Sequence, residues 1–347
     1  MGKDCEIIDP RSSIEWDGFV KNHPQGTFFH SGVWASVLCE SYGFTPYYIV
    51  LRKDKLIVAG LPLIAVRSIF GPARAVSLPF TDFCGPLCDS ASQFEVLLKS
   101  SMDLSKTKHW AFLEFRGGQE FLKNTPSWSC CFMHEIDLTG SDTELLAACR
   151  DSTQRNIKKA KKHSLEITHE TTLLAMWKFY KLNMLTRRDH GLPPQPWSFF
   201  KILFDLVIAK KQGFISLSYY KNAAVAADLF LIYGDKAIYK FGASNKKFQR
   251  LRASNLVMWE GMLHCKALGA KSLNLGRTEP HHEGLLQFKR GFGCYEETVN
   301  YYCFDCKSGI FQSEKETSGE GLSNKIMRRA PLFLLRALGK IAYKYVA

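Results

Sequence analysis

Apolar residues recur at helical spacing over residues 14–20, and Val33, Trp34, Val37 and Leu38 repeat the pattern within 32–42, which predicts two early helices. The period then changes. Two β-branched runs within 46–66 flank the charged Arg52-Lys53-Asp54-Lys55 and read as a hairpin. A strand near 75–78, a helix near 93–104 and a strand at 110–115 complete a mixed unit. The pattern restarts after a strand at 134–138. A long basic helix is expected over 143–162, capped by Ser141 or Thr143. A short strand at 165–170 and helices at 172–187 and 196–211 follow. Three strands with turns at Lys221-Asn222 and Gly234-Asp235 then form a meander. A helix at 254–268, strands at 272–277 and 297–306, and a terminal helix over 331–346 close the chain, with Pro331 in its first turn. Each half runs helix, antiparallel strands, helix, strand. The chain therefore reads as a duplicated α+β (mixed α/β) unit.

Length and composition narrow the class. The 347 residues suit about two domains. With 46% hydrophobic and 23% charged residues, disorder and low complexity are excluded. The longest apolar stretch, 56–66, is too short for a bilayer and is broken by Gly60 and Pro62. No apolar leader opens the sequence, so a cytoplasmic protein is expected, with its eleven cysteines as reduced thiols. Cys303 and Cys306 form a C-x-x-C without the second ligand pair that a zinc site requires.

The net charge of +13 is concentrated. Residues 150–163 hold Arg150, Arg155, Lys158, Lys159, Lys161 and Lys162 against Asp151 alone, and residues 321–347 hold six cations and no acid. Clustering of this kind points to a polyanionic partner. Arg155, Lys158, Lys159 and Lys162 fall at i, i+3, i+4 and i+7, on one helix face suited to phosphates. In the terminal segment 324–347, Arg336, Lys340 and Lys344 lie beside Leu332, Phe333, Leu335, Leu338 and Ile341, a basic amphipathic helix suited to an anionic membrane surface.

No Walker loop, dinucleotide fingerprint, hydrolase triad order or zincin helix is present. The densest group of ionisable residues lies in 273–297, where a strand ending at Gly276-Arg277 opens into Glu279, His281, His282 and Glu283, then Phe288-Lys289-Arg290 within a glycine turn. Strand ends are where such folds build sites. Arg277 and Arg290 are candidates to clamp a substrate anion. Glu279, His281, His282 and Asp228 are candidate general bases. Adjacent histidine side chains are expected to point apart, so no metal site is expected. Trp197, in a proline-rich loop, and Trp34 are candidate substrate contacts.

Several blocks resemble the Fem-type peptidyltransferases of the GNAT acyltransferase superfamily. They are 25–34 with the strands that follow, 153–162, Phe179-Tyr180, 227–231, 255–269 before the strand at 272–277, and above all 284–293. The terminal segment is similar to the subgroup encoded with exosortase and surface-polysaccharide systems. The resemblance implies two tandem GNAT-like lobes with a cleft between them: 1–139, with 303–347 as a candidate completion, and 140–302. It implies transfer of an acyl or aminoacyl group from acyl-CoA or aminoacyl-tRNA to an amine of a cell-envelope precursor, peptidoglycan or surface polysaccharide, with no tightly bound cofactor. The family's functional lysine falls on Lys289, where an ammonium near the reacting carbonyl would stabilise the oxyanion, with Phe288 positioning it. The sequence departs from the family in lacking the coiled-coil arm of some tRNA-using members and a lysine in 32–42. A non-catalytic nucleic-acid-binding protein and a membrane-surface scaffold for polysaccharide assembly are the competing expectations.

Overall fold

A computed structural model describes residues 5–68, 71–313 and 322–345; the expected end of the last helix at Val346 lies outside them. In chain order the first elements are β1 (Cys5–Ile8), α1 (Ile14–Asn22), α2 (Gly32–Tyr42), β2 (Thr45–Pro46), β3 (Tyr48–Lys53), β4 (Leu56–Leu61), β5 (Ile64–Val66), β6 (Arg74–Val76), α3 (Ala91–Lys108) and β7 (Phe112–Arg116). There follow β8 (Ser129–Asp137), α4 (Asp142–Ala148), α5 (Asp151–Lys161), β9 (Glu166–Glu170), α6 (Leu173–Asp189), α7 (Trp197–Leu206), β10 (Gly213–Tyr220), β11 (Ala223–Tyr233) and β12 (Lys236–Ser244). The last are α8 (Ala253–Ala267), β13 (Ser272–Thr278), α9 (Glu283–Arg290), β14 (Tyr295–Asp305), β15 (Ile310–Gln312), α10 (Leu322–Met327) and α11 (Leu332–Ala342).

The chain divides into two compact units: Met1–Cys131 with Thr298–Thr317 and Ile341–Ala347, and Phe132–Glu297 with Ser318–Lys340. In the first, β1, β3 and β4 form an antiparallel sheet whose hairpin turns through Asp54 and Lys55, both at positive φ. A second run of strands, β2-β5-β6-β7, contains one parallel pair, β6 with β7. Helix α3 packs Phe94, Leu97 and Leu104 into the core with Leu61, Leu113 and Phe115.

The second unit is ordered β8-β13-β12-β11-β10-β9. The meander β10-β11-β12 is antiparallel, and α8 crosses over to make β13 parallel to β12. Side chains alternate across these strands. Phe241 meets Phe199, Phe200 and Phe179 of α6 and α7, whereas Phe214 and Phe230 join Leu256 and Met262 of α8.

Two expectations fail here for tertiary reasons. The helix expected over 143–162 is two helices, because the Arg150 N–H leaves the helical ladder and donates to the Gly291 carbonyl at 2.9 Å. The turn expected around Phe288-Lys289-Arg290 is instead the end of a helix, α9, which begins at Glu283 and runs through Arg290. Its two following glycines are seats for neighbours. A Cβ at Gly291 would lie 2.3 Å from Thr153 Oγ1, and one at Gly293, where φ is +71°, would lie 2.6 Å from the Ala148 carbonyl oxygen.

Candidate active site in the second unit

Strands β12 and β13 pair over only three positions, from Lys236↔Ser272 to Ile238↔Asn274, although both continue beyond them. At the far end of β12 a cavity of about 550 Å3 is walled by Ser244, Asn245, a 3-10 turn at Lys246–Leu251, and the first turns of three helices. Helix α8 contributes Arg252–Asn255, α5 contributes Ser152 and Thr153 with Asn156 one turn later, and α9 contributes Gly284 with Gln287 and Phe288. None of these three helices has a side-chain cap at its start: α5 begins on Arg150, α8 on Arg252 and α9 on His282. By contrast α1, α2, α3, α4 and α6 each begin on a serine or threonine whose oxygen accepts a first-turn N–H, and of the first nine helices only α7, on Pro196, also lacks one. Arg252 also sits in the left-handed region at φ 57°, a conformation that a β-carbon makes costly. Uncapped first turns point N–H groups and positive helix ends at the same space, and Lys246 and Arg252 add full charges. Such a convergence suits an anion.

Lys289 stands on the opposite side of α9 and is only 3% exposed. Its Nζ donates to the carbonyl oxygens of Gly276 at 2.8 Å and Arg277 at 2.9 Å. Those carbonyls belong to an irregularity in β13, between Asn274 and Arg277, where Gly276 takes φ +72° and donates its N–H to Asn274 Oδ1 at 2.8 Å. The ammonium expected beside a reacting carbonyl is instead turned onto the backbone of β13. Removing a charge from water requires partners, and the bulge supplies them. Beside it lies His134, fully buried, with Nδ1 3.5 Å from Glu296 Oε2 and 3.7 Å from Cys294 Sγ. Desolvation and then the Lys289 charge push its pKa down to about 4, so the ring is neutral at physiological pH. Its Nε2 has no hydrogen-bond partner.

The other predicted residues separate into those the fold brings to this region and those it uses elsewhere. Glu279, His281 and His282 do converge, with one carboxylate oxygen 3.6 Å from His281 Nε2 and 3.5 Å from His282 Nδ1. In this irregular turn the adjacent rings do not point apart, and the three ligand atoms lie within 4.8 Å of one another, close enough to share a divalent ion. Arg277 Nη2 is 3.9 Å from the other Glu279 oxygen. Arg290 grips Glu296 through two contacts of 2.6 Å, so it is a strut for the strand after α9. Phe288 lines the cavity. Arg155 and Lys159 are exposed on the side of α5 shared with Ser152 and Asn156, whereas Lys158 and Lys162 turn further from it.

Asp228 is corrected from candidate base to core residue. It lies in mid-β11, opposite Ser216 and Gly242, is 3% exposed, and hydrogen-bonds Tyr239. Burial raises its pKa well above the carboxylate range, and Oδ2 has no partner. Trp34 is also core, fully buried with Nε1 donating to Thr81 Oγ1 at 2.8 Å. Trp197 is half-buried and packs edge-on against Trp177, with centroids 4.8 Å apart. Sequence reasoning missed Arg252, Lys246 and His134. The basic stretch between the end of β12 and α8 could have flagged the first two, whereas nothing in the sequence isolates His134.

Residues 147–290 match the family model of the acetyltransferase (GNAT) domain, a span that contains every wall of the cavity. The chain therefore carries a GNAT acyltransferase domain. The non-catalytic readings are thereby set aside. Its fold is that of the tandem GNAT proteins, as the resemblance implied. The structure of FemX superposes with a TM-score of 0.69 at 15% identity, covering 86% of this chain and 96% of FemX. A tandem GNAT protein from the clavulanic acid biosynthesis pathway gives 0.56 at 8% identity, covering 87% and 99%. L-PGS from Bacillus licheniformis gives 0.50 at 10% identity, covering 93% and 98%. Comparison with curated proteins gives no match. Among the described residues no helix is long and apolar enough to cross a membrane.

Proposed function

We propose that this GNAT chain moves an acyl or aminoacyl group from acyl-CoA or aminoacyl-tRNA to an amine of a cell-envelope precursor, at the cytoplasmic face of the membrane. The convergence of three uncapped helix starts on one cavity carries the reading, because both donors present phosphates to be held there. The donor's reactive carbonyl would extend toward the parting of β12 and β13. Attack by the amine converts that carbonyl to an oxyanion and requires loss of a proton. Glu279 with His281 and His282, at the end of β13, is the group exposed enough to take it. The leaving thiolate or ribose oxygen recovers a proton from solvent. Lys289 acts as a positioning residue that fixes the bulge and lends positive charge to the developing oxyanion. The resemblance to Fem-type peptidyltransferases supports the envelope acceptor.

Calorimetry and thermal shift with acetyl-CoA, longer acyl-CoAs and aminoacyl-tRNA test this. One donor site per chain is expected. Arg252→Glu with Lys246→Glu should weaken binding at least about tenfold, since charge-assisted contacts contribute about 1.5–3 kcal/mol each. Failure of every donor to bind would refute the proposal.

A further inference from the structure

Helix α11 is seated in the second unit by Leu335, fully buried, and by Gly339, where a Cβ would lie 2.0 Å from the Pro194 carbonyl oxygen. Arg336 hydrogen-bonds the Tyr180 hydroxyl beside this seat. A helix packed on one side ordinarily turns polar residues outward. Here the outward side is apolar as well: Phe333 is 67% exposed, Leu334 47% and Leu338 49%, and Ile326 of α10 is 70% exposed. Exposed cations flank them, Arg328 and Arg329 before α11 and Arg336 and Lys340 one turn apart along it. No acid occurs anywhere in 321–347. The Tyr180 ring that meets Arg336 also packs on Trp197 at 5.3 Å and Trp177 at 5.6 Å, both half-buried, and Lys181 lies 5.6 Å over the Trp177 ring. Half-buried indoles, protruding aliphatics and exposed cations together match the boundary between acyl chains and headgroups.

We infer that the α10–α11 surface of the second unit docks on an anionic lipid bilayer, with Phe333, Leu334 and Leu338 entering the headgroup layer and the flanking cations meeting lipid phosphates. This rests on the reading of an envelope acceptor, which it would bring within reach of a membrane-held enzyme. A nucleic acid would use the cations and gain nothing from the aliphatic side chains. A second copy of this surface would oppose positive charge with positive charge.

Full-length protein is sedimented with vesicles of phosphatidylcholine alone and of phosphatidylcholine with phosphatidylglycerol, in low and high salt. Acyl-CoA thermal shift is measured on the same samples. Association with the anionic vesicles only, weakened by salt and reduced at least about tenfold by Phe333→Glu, Leu334→Glu and Leu338→Glu together, is the expected result. An unchanged acyl-CoA shift shows that the variant is folded; if the shift is lost, Leu338→Glu alone and Arg336→Gln with Lys340→Gln replace it. Absence of vesicle association by the wild-type chain, equal association with neutral vesicles, or full association by a folded variant overturns the inference. So does tRNA binding that the same variants abolish while vesicles are ignored. Vesicle association without any donor binding would sink the acyl-transfer reading and leave the docking surface standing.

Discussion

Each unit contains one parallel strand pair that meets over three positions and then parts, β6 with β7 in the first and β12 with β13 in the second. In the first unit the parting is stoppered. Beyond Val76 the Arg116 N–H donates to Ser77 Oγ at 2.7 Å, and its guanidinium, 5% exposed with its residue, reaches the Leu78 and Thr81 carbonyls at 3.2 and 3.1 Å and the Glu114 carboxylate at 2.7 Å. The helix between those strands, α3, is capped by Ser90. In the second unit the helix start between the strands is bare and opens on a cavity. The same architectural opening is thus a closed core in one unit and a cavity in the other, and the difference lies in a cap and a plug.

The sharpest way to break that contrast is Lys289→Met. It leaves two buried carbonyls of the bulge without their cation, at a cost of about 1–3 kcal/mol in stability. Acyl transfer should fall by roughly a hundredfold or more, in line with losing a preorganised charge. Steady-state turnover with thermal unfolding checks both, and turnover near wild type would remove Lys289 from the chemistry. Next is Arg116→Met, which withdraws the plug from the first unit. Stability should drop by about 1–3 kcal/mol through unpaired carbonyls. Calorimetry should still count one donor per chain, because no uncapped helix start stands behind that opening. A second site appearing would show that the plug alone separates the two units.

The smallest effect is a pH dependence. Asp228 has a raised folded pKa, so its contribution is complete below the ordinary carboxylate pKa and is lost as pH rises. His134 and His169 are each lowered to about 4 chiefly by burial, so their contribution is complete above the ordinary imidazole pKa of 6.5 and is lost as pH falls toward 4. Asp228→Asn should therefore raise the unfolding midpoint relative to wild type increasingly from acid to mildly alkaline pH. The acid-side loss should stay in place. An identical offset at every pH would mean that Asp228 does not titrate differently on folding.

Periodicity revealed the meander, the hairpin and most helices, because each is held by near neighbours in sequence. The break at Arg150 was hidden, since its cause, Gly291, lies far along the chain. Ionisable density located the Glu279, His281 and His282 cluster and drew attention to Lys289. It could not show that Lys289 is turned inward, because that follows from the bulge at Gly276, a backbone conformation with no side-chain signature. Trp34 and Asp228 look the same in sequence whether they line a site or fill a core, and only burial separates the two outcomes.

The bond from Arg150 N–H to the Gly291 carbonyl joins the start of α5 to the end of α9, and both helices face the cavity. Those two walls are thereby tied, so a bulky donor cannot push one aside without dragging the other. Slow amide exchange at Arg150 in the resting protein, accelerating only with donors too large for the space, would make that single backbone proton a gauge of how far the receptor has been stretched.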